Sequence, residues 1–101
     1  MSVDLMQQAK DFRQVYGLLG GPMTRFAQKK LIDEEWSEFH EAFYFKEKEE
    51  QLKELGDLVY VCFQYAVSQG WDLNETMRRI HESNLSKLDD NGKPTYRADG
   101  K

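Results

Sequence analysis

Apolar residues recur at helical spacing along most of this chain and predict four helices. Leu5, Ala9, Phe12 and Tyr16 place a first helix from about Asp4 to Tyr16. The stretch Gly17 to Thr24 breaks it, because Gly20-Gly21-Pro22 cannot sit in a helix interior. Thr24 is the expected N-cap of a second helix running to about Phe45. One of its stripes is Ile32, Trp36, Phe39 and Phe43; a second is Leu31, Glu35, Glu38, Ala42 and Phe45. A third helix is predicted from about Glu50 to Ser68, with Glu54 and Asp57 aligned with Leu58, Val61 and Tyr65, and Leu52, Leu55, Val59, Phe63 and Ala66 on the other side. Gly70 closes it as a C-cap. Asp72 or Asn74 caps a fourth helix reaching about Leu88, with Met77, Ile80, Asn84 and Lys87 at helical spacing. Residues from Asp89 to Lys101 are polar and turn-rich and read as a tail.

The expected architecture is an all-α helical bundle around a central antiparallel helix hairpin, with residues 1–88 as the domain and 89–101 as tail. The second half of the third helix is apolar almost all round, which marks a helix buried on several sides. A chain of 101 residues forms at most one domain and buries a limited share of its surface, so burial against a second subunit is expected to complete the bundle. The net charge is −4 and there is no basic run, which argues against nonspecific binding to a nucleic-acid polymer or an anionic membrane. The single cysteine, Cys62, lies in an apolar run, excludes an intramolecular disulfide and fits a reducing cytoplasm. The first residues lack a basic n-region and an apolar h-region, so no signal peptide is expected, and no apolar run approaches the ~20 residues of a membrane span.

The candidate chemistry is a doubled acidic motif: Glu34-Glu35-Trp36-Ser37-Glu38, then Glu54-Leu55-Gly56-Asp57. An E-x-x-E or E-x-x-D spacing sets both acids on one helical face. In an antiparallel hairpin, facing positions mirror about the turn, and the midpoints of Glu35/Glu38 and Glu54/Asp57 put that mirror near Lys46, where Lys46-Glu47-Lys48-Glu49 interrupts the apolar pattern. The turn has no Gly or Pro, so a continuous helix through Lys46 is the alternative; it would exceed ~40 residues against a globular mean of ~11–12. Four facing carboxylates cannot all stay ionised unless they share cations. A solvated face fits Glu47, Glu49 and Glu50. It fits Glu35, Glu38, Glu54 and Asp57 poorly, since each lies on a partly apolar stripe. Mg²⁺, an oxygen-seeking ion that favours phosphate-bearing substrates, is the expected shared cation. A di-iron bundle wants E-x-x-H pairs, which neither His40 nor His81 completes.

These residues resemble the signature of the all-α nucleoside triphosphate pyrophosphohydrolases, a superfamily that includes the MazG-type enzymes, the dimeric dUTPases and the phosphoribosyl-ATP pyrophosphohydrolase of histidine biosynthesis. Leu31-Ile32-Asp33-Glu34-Glu35, Leu55-Gly56-Asp57-Leu58-Val59-Tyr60-Val61, Ser83-Asn84-Leu85-Ser86-Lys87 and Asp90-Asn91-Gly92-Lys93-Pro94 look most like the small phage and bacterial MazG-like proteins. The resemblance implies a bundle that forms a homodimer or tetramer in the cytoplasm of a bacterium or phage-infected host. It implies Mg²⁺, with Mn²⁺ as a substitute, held by Glu35, Glu38, Glu54 and Asp57, and hydrolysis of a nucleoside triphosphate or related nucleotide between its α and β phosphates; the alternatives are phosphoribosyl-ATP hydrolysis in histidine biosynthesis and a non-catalytic helical binding or regulatory module. Glu34, the wetter acid beside the ligands, is the candidate for orienting or deprotonating the water. Matching positions put Asn84 and Lys87 near the nucleotide's sugar and phosphates; Lys93 and Arg97 are candidates for a tail lid, and Lys29 and Lys30 for the other end of the cleft. Relatives with this tail usually continue beyond the Gly-Lys pair; this chain stops at Lys101. For the base, Trp36 reads as core from its stripe, and Phe12, Tyr16 and Phe26 are further candidates that the sequence does not separate.

Overall fold

A computed structural model describes residues 3–18, 20–88 and 90–93. Four helices follow one another, α1 (Leu5–Val15), α2 (Pro22–Phe45), α3 (Lys48–Gln69) and α4 (Leu73–Leu85), and no strand occurs among the described residues. The all-α expectation holds. The proposed lid falls mostly on residue 89 and residues 94–101, which lie outside the described residues.

The local chemistry accounts for most helix ends. Asp4 caps α1 by accepting from the Gln7 amide at 3.0 Å, and Asp72 caps α4 by accepting from the Glu75 amide at 3.1 Å. Asp72, not Asn74, is therefore the cap; the Asn74 amide instead donates to Asp4 at 2.9 Å and joins the starts of α1 and α4. Gly70 ends α3 at φ 76°, the left-handed conformation in which a Cβ is disfavoured. α2 begins earlier than the expected Thr24: Gly21 is its N-cap and Pro22 occupies the first turn, where a missing N–H removes no helical bond. α4 ends at Leu85, short of the expected Leu88.

The hairpin is real and the continuous helix is not formed. α2 stops at Phe45, and the connection is only Lys46 and Glu47. Both are extended, at φ −120° and −74°, so the turn needs no left-handed residue and hence no glycine. The Lys46 amide still bonds the Ala42 carbonyl at 2.9 Å, and Gln51 Nε2 donates to the Lys46 carbonyl at 2.9 Å, so each side of the turn is tied. Glu49 and Glu50 in the first turn of α3 oppose the positive end of its dipole.

α3 is the central element. α2 packs along one side and α1 along another. The buried core joins Met6 and Ala9 of α1 to Phe63 and Ala66 of α3, with Leu5, Val67 and Leu73 packed around them. Arg13 is buried beside them; its Nη1 donates to Gln64 Oε1 at 3.4 Å, while Gln64 Nε2 donates to the Ala9 carbonyl at 3.4 Å. Cys62 is half-buried and burial pushes its thiol pKa up, consistent with a small packing residue. No described helix is long and apolar enough to cross a membrane. The stripe that read as the core of α2 is not covered within one chain: Trp36 is 54% and Phe43 58% exposed. The core forms where α1 crosses α3, and α3 is the described helix that packs extensively on α2.

Gly20 is pressed against the end of α3. A Cβ there would come within 2.5 Å of the Ser68 carbonyl oxygen, whereas one at Gly56 would meet nothing within 4 Å. Gly20→Ala is therefore expected to lower stability by about 1–3 kcal/mol through overpacking. Gly56→Ala, in a helix interior, is expected to raise it by about 0.5–1 kcal/mol. Urea denaturation of the two variants beside the parent chain checks the opposite signs.

Candidate functional site

The mirror symmetry of the hairpin brings the two acidic motifs together. Glu35 and Glu38 leave α2 one turn apart, and Glu54 comes from the facing turn of α3. One carboxylate oxygen from each of the three lies within 4.8 Å of the others. Glu35 and Glu54 are half-buried and Glu38 is exposed, so the cluster has a closed floor and an open side. Burial, the neighbouring Glu38 carboxylate and the charges of Asp57 and Glu54 all push the Glu35 carboxyl above its ordinary range. Glu35 Oε2 and Glu54 Oε2 are buried and have no hydrogen-bond partner.

Asp57, one turn beyond Glu54, completes the set electrostatically. It is not one of the three mutually close carboxylates, but its charge acts on Glu35. Lys53 was not singled out by sequence reasoning, and it belongs here. Its Nζ lies 3.1 Å from Asp57 Oδ2 and 3.5 Å from Glu54 Oε1. The Asp57 contact, more than Glu54, holds the Lys53 ammonium above its ordinary pKa. The signal was available in the i, i+4 spacing of Lys53 and Asp57.

Two buried carboxylate oxygens without donors, set among like charges, fit a hard divalent cation. A neutral ligand would leave the charge uncompensated, and an anion would add to it. Glu35, Glu38, Glu54 and Asp57 are the residues that could hold such an ion.

The other sequence candidates fall elsewhere. Glu34 is exposed on the flank of α2 and is not in the triplet. Lys30 is exposed one turn before it, and the adjacent Lys29 is paired with Asp33 at 2.8 Å. Asn84 and Lys87 adjoin each other as expected, with Lys87 Nζ donating to Asn84 Oδ1 at 3.2 Å. Both are exposed, and α4 carries no buried residue and packs on α1. Lys93 is exposed at the end of the described residues, and Arg97 lies outside them.

The raised Glu35 carboxyl has a consequence for stability. Its ordinary pKa is 4.5 and the folded value is higher, so between the two the folded state holds more protons than the unfolded state. Stability of the metal-free chain then falls as pH rises through that window. Glu35→Gln is expected to flatten this slope and to stabilise the metal-free chain at about pH 8, with little effect at about pH 4. Chemical denaturation in the presence of a chelator checks it; identical slopes for parent and variant would remove Glu35 as the source.

A family model described as phosphoribosyl-ATP pyrophosphohydrolase matches residues 22–84. The matched segment contains the whole hairpin, all four acids and α4 almost to its end. No curated protein and no solved structure matches the chain. The match covers well over half of the sequence and includes every residue of the acidic cluster, so the chain belongs to the phosphoribosyl-ATP pyrophosphohydrolase family, whose chemistry is nucleotide pyrophosphohydrolysis.

Proposed function

We propose that this chain is a Mg²⁺-dependent nucleotide pyrophosphohydrolase that cleaves a nucleoside triphosphate, or a related nucleotide, between the α and β phosphates to give a monophosphate and pyrophosphate. The observation that carries this reading is the Glu35–Glu38–Glu54 triplet with its two partnerless buried oxygens. Glu35, Glu38, Glu54 and Asp57 would hold the ion, with Mn²⁺ as a substitute for Mg²⁺. Bound there, it would supply charge neutralisation for the phosphates and acidify a water. Hydrolysis of a phosphoanhydride then asks the protein mainly for positioning and electrostatics.

Glu34 is assigned the water. It directly precedes Glu35 on α2 and is exposed, and a carboxylate beside a bound ion would orient the water and accept its proton. Lys30, Asn84, Lys87, Lys93 and Arg97 are assigned to the phosphates and sugar as donors that an anionic substrate needs. The family's description makes phosphoribosyl-ATP the substrate to test beside the nucleoside triphosphates.

A pyrophosphate-release assay with Mg²⁺ over standard and modified nucleoside triphosphates and phosphoribosyl-ATP tests the reaction. Glu38→Ala is expected to lower release by about 100-fold or more, since loss of even a supporting partner of a metal site costs about 10–100-fold. Glu34→Gln is expected to lower kcat by about 10²–10⁴-fold while calorimetric Mg²⁺ binding stays within about 2-fold. Release that survives Glu38→Ala would sink the reading.

We also propose that the chain works as a homodimer or tetramer. Met77 and Ile80 of α4 are 49% and 46% exposed, and Trp36 and Phe43 of α2 are more so. Apolar stripes of this extent mark surfaces that another chain covers. Light scattering is expected to give a mass of two or four copies; a monomer at micromolar concentration would overturn this.

A further inference from the structure

The aromatic residues that the sequence could not rank are separated by the fold. Phe12 of α1 meets Tyr60 of α3 edge-on, with ring centroids 5.8 Å apart, and Tyr16 lies 4.6 Å from Phe12. With Val15 these rings line an open surface hollow of about 380 Å³, formed mostly by α1 with Tyr60 of α3 at its base and Gln8 and Asp11 at its rim. Tyr16 is 67% exposed, so the cleft is open to solvent on its side.

Phe26 and Trp36 lack this arrangement, and the hollow of about 360 Å³ beside Trp71 lies at the other end of α3 from the acids. Phe26 is overlaid by the Arg25 guanidinium at 5.0 Å. The hollow of about 280 Å³ beside Trp36 is lined by α2 residues alone, so no second element faces a ring placed there.

The position of the cleft matters as much as its lining. Tyr60 follows Asp57 by three residues on α3, a rise of about 4.5 Å. α1 runs antiparallel to α3, as the pairs Ala9–Gln64 and Phe12–Tyr60 show, so Tyr16 at its end approaches the level of Asp57. By this register the aromatic surface lies at about the level of Asp57 along α3. The family match begins at residue 22, so α1 contributes a wall that the matched segment does not contain.

We propose that the cleft between α1 and α3, walled by Phe12, Tyr16 and Tyr60, receives the base of the nucleotide whose phosphates meet the acidic cluster. This rests on the nucleotide pyrophosphohydrolase reading for the phosphate end. The rings supply faces for stacking, and the Gln8 amide supplies a donor and an acceptor for the base edge. Asp11 accepts from Gln7 Nε2 at 2.9 Å, which fixes one rim of the cleft. The α2–α3 hairpin would carry the chemistry, and α1 would set base preference.

The test is calorimetric binding of AMP, GMP, CMP and UMP, with pyrophosphate as the base-free comparator, all in Mg²⁺. Tyr16 is the residue to change, because its exposure makes misfolding of the variant easy to exclude by circular dichroism. Tyr16→Ala is expected to weaken the tightest monophosphate by about 5- to 100-fold, the worth of one stacking contact. Tyr16→Phe should stay within about 2-fold of the parent, and neither variant should change pyrophosphate binding. Monophosphate binding that Tyr16→Ala leaves intact, an equal loss for pyrophosphate, or no monophosphate binding by the parent chain would overturn the proposal. Base-dependent binding that Tyr16→Ala removes, in a chain that releases no pyrophosphate from any nucleotide, would support the cleft and count against the hydrolase reading alone.

Discussion

The structure depends on holding like charges together. Three carboxylate oxygens within 4.8 Å of one another, with Asp57 beside them, repel by an order of a few kcal/mol per ionised pair at an effective dielectric of about 20. Nothing in the local helix sequence favours that arrangement. It exists because the two-residue connection at Lys46 and Glu47 fixes the register of α2 on α3, and the register sets Glu35 and Glu38 opposite Glu54. The repulsion is relieved in two ways within the chain. Burial and the neighbouring charges keep a proton on Glu35 to higher pH, and Lys53 places an ammonium on Glu54 and Asp57. A divalent cation would relieve it more completely, because it brings two charges to oxygens that have no donor.

Packing is distributed to match. The buried core lies where α1 crosses the second half of α3, around Ala9, Phe63 and Ala66. The half of the hairpin near the turn is thinly covered, with Ala42 its buried apolar residue and Leu52, Phe43 and Phe45 exposed. The acidic cluster sits between these regions. One end of the hairpin is anchored by packing, and the other leaves the carboxylates an open side. α1 therefore has two roles: it supplies half of the core through Met6 and Ala9, and its last turn carries the rings that meet Tyr60.

The helices were legible because each carries its own punctuation. Asp4, Asp72 and Gly70 act through bonds within a few residues, so their meaning survives without knowledge of the fold. Thr24 misled because Gly21 and Pro22 start the helix a turn earlier, and proline in a first turn costs nothing. Trp36 misled for a different reason. Its stripe is amphipathic, and periodicity reports that a face is apolar without saying whether the same chain covers it. Lys53 was overlooked because a lysine among acids on a helix reads as an ordinary surface pair.

By itself the sequence determined the helix set, the doubled acidic motif and the mirror point at Lys46, since all three follow from periods of three to four residues and from local hydrogen bonding. Only the tertiary structure decided that the chain turns at Lys46 rather than continuing, that Glu35 and Glu54 keep buried oxygens without donors, and that Phe12 and Tyr16 meet Tyr60 while Trp36 stays exposed. Those outcomes rest on contacts between residues up to about fifty positions apart, such as Ala9 and Gln64. Helical periodicity carries no record of which faces meet, because the crossing of α1 on α3 is set by side-chain packing rather than by spacing along the chain.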